Sequence, residues 1–259
     1  MRTLRWALLL VAALASTGCT GAAAAPATAP VPAPAPVPVS APAPPVVVLD
    51  PGHNGRNGAE PGAIRRQVSD GRGGMKACNT TGTATDAGYP EHAFNFDVAT
   101  RVQQRLTAAG VQVVLTRPDD DGVGPCVDER GRAGEEADAA AVVSIHADGA
   151  APGAAGFHVA YSAPPLNPAQ AGPAQELARV LRDALRDGGF PDSDYIGDDA
   201  LSPRADLAGL NHATRPTVLV ECANMRNADE AALVSSPEGR DRYAAAITDG
   251  VLGFLGRKG

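Results

Sequence analysis

Aromatic residues make up only 4% of the 259-residue chain, with a single tryptophan. A core without large rings has to be built from Ala, Val and Leu, and the 44% apolar content is enough to supply one. Basic residues are also short: 22 Lys and Arg stand against 29 Asp and Glu, a net charge of −7. That balance argues against the basic face of a nucleic-acid binder and against electrostatic docking on an anionic surface. Beyond the first residues, no apolar run nears the roughly 18 residues of a membrane-spanning helix. Four cysteines are too few for a disulfide-dense mini-protein, and the composition excludes collagen and coiled coil.

What is present begins with an address. Arg2 and Arg5 precede the apolar run Trp6 to Ala15, and small residues follow from Ser16 to Ala25. This is the pattern of a secretory signal peptide, assigned to residues 1–21. Its end has two readings. Ser16-Thr17-Gly18-Cys19 resembles a lipobox, in which Cys19 is lipidated and anchors the chain at the outer face of the cytoplasmic membrane; Ala-x-Ala cleavage near Ala25 would discard Cys19. Anchoring is the preferred reading. Residues 22–45 carry nine prolines among Ala, Val and Thr. Such a segment favours polyproline II and reads as a stiff linker or a bare leader. The folded domain is expected over 46–259, as a monomer located in the cell envelope.

Within that domain, the continuous apolar run Val46–Leu49 predicts a buried central strand ending at Asp50-Pro51-Gly52. Pro90 opens and Gly110 closes a helix whose apolar face is Phe94, Val98, Val102 and Leu106. Further strands are expected at 111–115, 141–145, 156–161 and 217–220, and helices at 127–137, 173–187, 228–235 and 238–255. Alternating strands and helices predict a single α/β domain, with a mixed, mostly parallel sheet covered by helices on both faces. The stretch 54–89 is rich in Gly, Arg, Thr and Asp, has little periodicity, and is expected to hold a small hairpin around 63–82.

In such sheets the ligand crevice lies beyond the carboxyl ends of the strands. His53 follows the first strand, His146 ends the strand Val142–Ile145, and Glu91 lies in the first turn of the 90–109 helix, on its inward face. Two imidazoles and one carboxylate are the ligand set of a catalytic zinc, which leaves a fourth position open. Glu221 ends the strand Val218–Val220 and points into the same crevice, where a carboxylate acts as general base. Asp50 is placed to orient the His53 imidazole, as metal-binding histidines need. Each residue alone has an ordinary structural reading, and the set carries the argument. There is no His-Glu-x-x-His and no Gly-x-Ser-x-Gly. Asp119-Asp120-Asp121-Gly122 opens like a calcium loop, but Arg130 stands where the twelfth-position Glu is needed, so it reads as a solvated turn. His92 and His212 have no evident partners; His158 is a candidate substrate contact.

Val48-Leu49-Asp50-Pro51-Gly52-His53-Asn54-Gly55 resembles the opening motif of the zinc-dependent N-acetylmuramoyl-L-alanine amidases, the amidase-3 family. Pro90-Glu91-His92-Ala93-Phe94-Asn95, Leu115-Thr116-Arg117 with Arg130, Ser144-Ile145-His146-Ala147-Asp148 and Val218-Leu219-Val220-Glu221 resemble its later motifs, in order, over nearly all of 46–259. The small, single-domain mycobacterial and actinobacterial members look most similar. The resemblance implies one Zn²⁺ at His53, Glu91 and His146, with Glu221 as catalytic base. It implies cleavage between N-acetylmuramic acid and the L-Ala of peptidoglycan stem peptides. Asp50, Asn54, Arg117 and His158 are carried as supporting or substrate-contacting residues. Asp148 stands where the family commonly has Asn. No wall-binding domain is found, and the acidic charge fits a preference for soluble muropeptides over intact sacculi. The rival readings are a zinc peptidase cutting within the stem peptide and a non-catalytic muropeptide-binding module.

Cys78, Cys126 and Cys222 allow three pairings in an exported protein, or none. Cys78–Cys126 is favoured, because both lie in loops flanking the site and Cys222 belongs to a buried strand end.

Overall fold

The computed structural model describes residues 43–256, with the isolated positions 12, 15, 18 and 21 before them. The signal peptide, Cys19 and nearly all of the linker lie outside the described residues. In chain order the elements are β1 (Val46–Pro51), α1 (Pro61–Ile64), β2 (Gln67–Ser69), β3 (Met75–Ala77), α2 (Glu91–Ala108), β4 (Gln112–Leu115), α3 (Val127–Glu136) and β5 (Ala141–Asp148). There follow β6 (His158–Ser162), α4 (Pro168–Ala171), α5 (Pro173–Asp187), β7 (Leu201–Arg204), α6 (Ala208–Asn211), β8 (Thr217–Asn224), α7 (Ala228–Ser235) and α8 (Pro237–Phe254).

Six strands form one sheet in the order β4-β1-β5-β8-β6-β7. The first four run parallel; β6 is antiparallel to β8, and β7 is parallel to β6. The apolar runs predicted as central strands do lie in the middle, because only a strand covered on both faces can be apolar at consecutive positions. The expected hairpin is the antiparallel pair β2–β3. Strand β7 was not expected. Its sequence, Leu-Ser-Pro-Arg, carries a proline, which a sheet tolerates at an edge, and β7 is an edge strand.

Strand alternation divides the side chains between two unlike faces. Val47, Leu49, Val143, Ile145, Val218 and Val220 point to one face, where they pack with Phe94, Val98, Leu177, Leu181, Ile247 and Val251 of α2, α5 and α8 in the main core. Val48 and Val142 point to the other and meet only a small cluster with Ala139. This second face is covered by α3 and α6 and by the β2–β3 hairpin. A cavity of about 230 Å³ remains there, bounded by Val142, Ser144 and Leu219 of the sheet, Val127 and Leu210 of the helices and Ala77 of the hairpin. Asp50, Ser144 and His146 fall on this thinly covered face by the same two-residue period.

Candidate metal centre and active site

His53, Glu91 and His146 each offer one ligand atom, and these atoms lie within 4.8 Å of one another. They come from three elements: the turn after β1, the first turn of α2 and the end of β5. Glu91 Oε1 lies 3.1 Å from His53 Nε2 and 2.9 Å from His146 Nδ1. Its other oxygen accepts the Thr83 N–H at 2.9 Å. Burial would raise the Glu91 pKa, but the hydrogen bonds from His146 and His53 overcome it and hold the carboxyl well below its usual range. The same contact with Glu91 outweighs burial at His53 and raises its imidazole. A buried carboxylate facing two imidazoles is the donor chemistry of a zinc site, so the residues present fit a divalent metal.

The His53 ring is turned by a carbonyl. Nδ1 lies 3.0 Å from Thr80 O, and with the proton assigned to Nδ1 the Nε2 lone pair faces Glu91 and His146. This corrects the expectation for Asp50, which makes no contact with the ring. Strand alternation sends Asp50 onto the thin face instead. There its carboxylate accepts Arg130 Nη1 at 2.6 Å, Thr116 Oγ1 at 2.6 Å and Ser144 Oγ at 2.7 Å. Burial pushes the Asp50 pKa upward, but the Arg130 charge and the two hydroxyls pull it down to about 2.

Asp50 still serves the site, through the backbone. His53 sits at φ +58°, a left-handed conformation unusual for histidine. Arg130 Nη2 donates to the His53 carbonyl at 2.9 Å, and Nη1 to that of Pro51 at 2.8 Å. Fully buried Arg117 donates to the carbonyls of Pro51 at 2.9 Å and His92 at 2.9 Å, and its guanidinium lies over the Phe96 ring. The two arginines thus clamp the turn that presents His53. Asn54 is buried, its Oδ1 accepts the Gly55 N–H at 2.8 Å, and its amide abuts Gly124. It shapes that loop.

Two glycines admit the rings. A Cβ on Gly52 would lie 2.1 Å from the His146 ring. A Cβ on Gly82, which also has φ +76°, would lie 2.7 Å from Glu91 Oε2 and 2.9 Å from His53 Cδ2. Asn95, one helical turn after Glu91, donates to the Gly52 carbonyl at 3.2 Å. Thr80, Gly82 and Thr83 escaped sequence reading, since backbone groups and missing side chains leave no motif.

Glu221 lies on β8 directly opposite His146 on β5. It is half-buried, and its Oε2 is sealed from solvent without a hydrogen-bond partner. Burial raises its carboxyl well above the usual range, and the nearby Glu91 and Asp148 charges raise it further; Arg204 opposes them. His158 lies on β6 opposite Glu221 and is 1% exposed. His92 and His212 do have partners: Asp120 Oδ2 at 2.6 Å and the Ser69 carbonyl at 3.0 Å. The 119–122 turn is thus more than solvated surface, since Asp120 also accepts Arg117 Nη1 at 2.8 Å. Cys78 and Cys126 are joined by a disulfide that ties the segment after β3 to the start of α3, and Cys222 is a buried free thiol.

The profile of Amidase_3, described as N-acetylmuramoyl-L-alanine amidase, matches residues 47–252. An N-acetylmuramoyl-L-alanine amidase of Mycobacterium tuberculosis is 50% identical over 214 residues, which are 83% of this chain and 88% of that protein. The crystal structure of the amidase Ami1 of Mycobacterium smegmatis superposes with a TM-score of 0.80 at 54% identity, covering 83% of this chain and 98% of that one. The apo form of Ami1 from Mycobacterium abscessus gives a TM-score of 0.79 at 49% identity, covering 82% and 99%.

Proposed function

We propose, for a chain that belongs to the Amidase_3 family of N-acetylmuramoyl-L-alanine amidases, that its amide hydrolysis on peptidoglycan depends on zinc and uses Glu221 as the base. The observation that carries this reading is the convergence of His53, Glu91 and His146, with Glu221 opposite His146 on the neighbouring strand. Zinc held by the three ligands would supply Lewis acidity, which acidifies water and polarises the scissile carbonyl. Glu221 takes the proton of the attacking water and returns it to the departing amine of L-Ala. A carboxyl held above its ordinary pKa suits both halves of that exchange. Arg130 and Arg117 fix the His53 turn, Thr80 fixes its ring, and neither contact has to change during the reaction.

The leader and linker complete the reading: the enzyme is exported and acts outside the cytoplasm, tethered through a lipidated Cys19. Its acidic charge favours soluble muropeptides over the intact sacculus.

Mass spectrometry of muropeptides digested with and without zinc or chelator tests the chemistry, with Glu221→Gln alongside. The expected result is zinc-dependent release of an intact stem peptide beginning with L-Ala. The variant should lose about 10²- to 10⁴-fold in rate. Cleavage within the peptide would move the enzyme to the peptidases, and undiminished turnover by Glu221→Gln would remove Glu221 from the mechanism.

A further inference from the structure

Among the sealed polar atoms that lack partners in the described residues, two beside the reacting centre belong to facing neighbours. His158 on β6 is the direct cross-strand partner of Glu221 on β8. Directly opposed residues project from the same face, with Cβ atoms about 5 Å apart. His158 Nδ1 and Glu221 Oε2 are both shut off from solvent, and no hydrogen bond joins either to any described group. An unbonded buried polar atom is costly and uncommon. Here the two are complementary in kind and not directly bonded, so one water bonded to both would satisfy both.

The surroundings hold His158 in place without using its Nδ1. The Tyr195 ring meets the His158 ring edge-on, with centroids 6.1 Å apart, and the Tyr195 hydroxyl donates to Asp148 Oδ2 at 3.2 Å. Burial lowers the imidazole pKa to about 4, against the opposing pull of Asp148, so the ring is neutral near pH 7 and one of its nitrogens can accept a hydrogen bond. Because Oε2 is the sealed oxygen of Glu221, Oε1 is the one left for chemistry.

We propose that His158 is the positioning residue of Glu221: through one buried water it holds Oε2, and so keeps Oε1 turned toward the scissile bond. This rests on Glu221 being the base. Nothing in the sequence signals it, since the two residues are far apart in the chain and meet only through the antiparallel pairing of β6 with β8.

Steady-state kinetics on a purified muropeptide, with the zinc-loaded exported chain, compare wild type with His158→Leu, His158→Gln and Glu221→Gln. His158→Leu should lower kcat by about 10- to 100-fold and leave KM within about twofold. Circular dichroism and Tm fix an assay temperature at which the variant is folded, since losing a water-mediated partner lowers stability. His158→Gln, which can still bond the water, should recover most of the loss. His158→Leu combined with Glu221→Gln should be no slower than Glu221→Gln alone, as residues acting as a unit behave. A crystal structure should show one water bonded to both His158 Nδ1 and Glu221 Oε2. Wild-type kcat in His158→Leu, a loss that tracks a lowered Tm and is not rescued by Gln, additive losses in the double variant, or a dry gap between the two atoms would each overturn the proposal. An active Glu221→Gln would instead bring down the base assignment itself, and the proposal with it.

Discussion

The two faces of the central sheet are held by different physics. On one, Leu49, Ile145 and Val220 meet α2, α5 and α8 through side chains such as Phe94, Leu181 and Ile247, all with no exposed surface. On the other, the cover is thin, and the buried groups include Asp50, Arg130 and Ser144, joined by hydrogen bonds. Apolar burial is strong but has no direction. Hydrogen bonds add less net stability each, yet they fix angles and cost most when one partner is removed. The candidate metal ligands sit at the strand ends and at the start of α2, where directional bonds can hold a left-handed histidine and two imidazoles against one carboxylate. The first face makes that arrangement affordable.

The largest effect expected from breaking this division is at Arg130. Arg130→Leu leaves Asp50 buried without its cation and the His53 carbonyl unbonded, while the Pro51 carbonyl keeps only Arg117. It should cost about 3–5 kcal/mol and also weaken zinc binding. Its control on the other face is Leu181→Ala, expected to cost about 2–5 kcal/mol with kcat and zinc affinity unchanged well below its Tm. Denaturant unfolding and zinc titration of both variants check this, and a matching loss of zinc affinity in Leu181→Ala would erase the distinction. Next comes the disulfide on the thin face. Its cysteines are 48 residues apart, and opening the link with Cys78→Ser and Cys126→Ser should cost up to about 4 kcal/mol in the chain-entropy account. The smallest effect is acid sensitivity. Asp50 has a pKa of about 2 in the fold against 3.8 ordinarily, so it contributes stability that is present above pH 4 and lost as pH falls through 2. The amount is about 2 kcal/mol. Asp50→Asn should flatten unfolding free energy between pH 5 and 2; an unchanged slope would show that another group carries it.

Legibility in the sequence follows the same line between the faces. The main core was readable because burial obeys period: Phe94, Val98, Val102 and Leu106 recur every fourth residue, and all four are fully buried. The helix predicted at 173–187 is α5, with the same limits. The four-residue helices α1, α4 and α6 escaped, since one turn is too short to show a period. At the site, the candidate ligands His53, Glu91 and His146 and the candidate base Glu221 stood out by type and by position at strand ends or in a helix's first turn. What aims them did not. The Thr80 carbonyl reaches His53 across 27 residues, and Arg130 reaches Asp50 across 80. Such contacts belong to the folded topology and leave no local pattern. Asp50 shows the cost of reading locally: proximity to His53 in sequence suggested contact with the ring, whereas alternation along β1 turned it to Arg130.

The most direct test of the account is a zinc titration of metal-stripped protein, followed by calorimetry and by muropeptide turnover in the same samples. One zinc should bind per chain, with activity rising in proportion to occupancy. His146→Ala should abolish both while leaving the fold intact by circular dichroism. Full turnover by the stripped enzyme, or one tightly bound zinc in a chain lacking His53, Glu91 and His146 together, would contradict it.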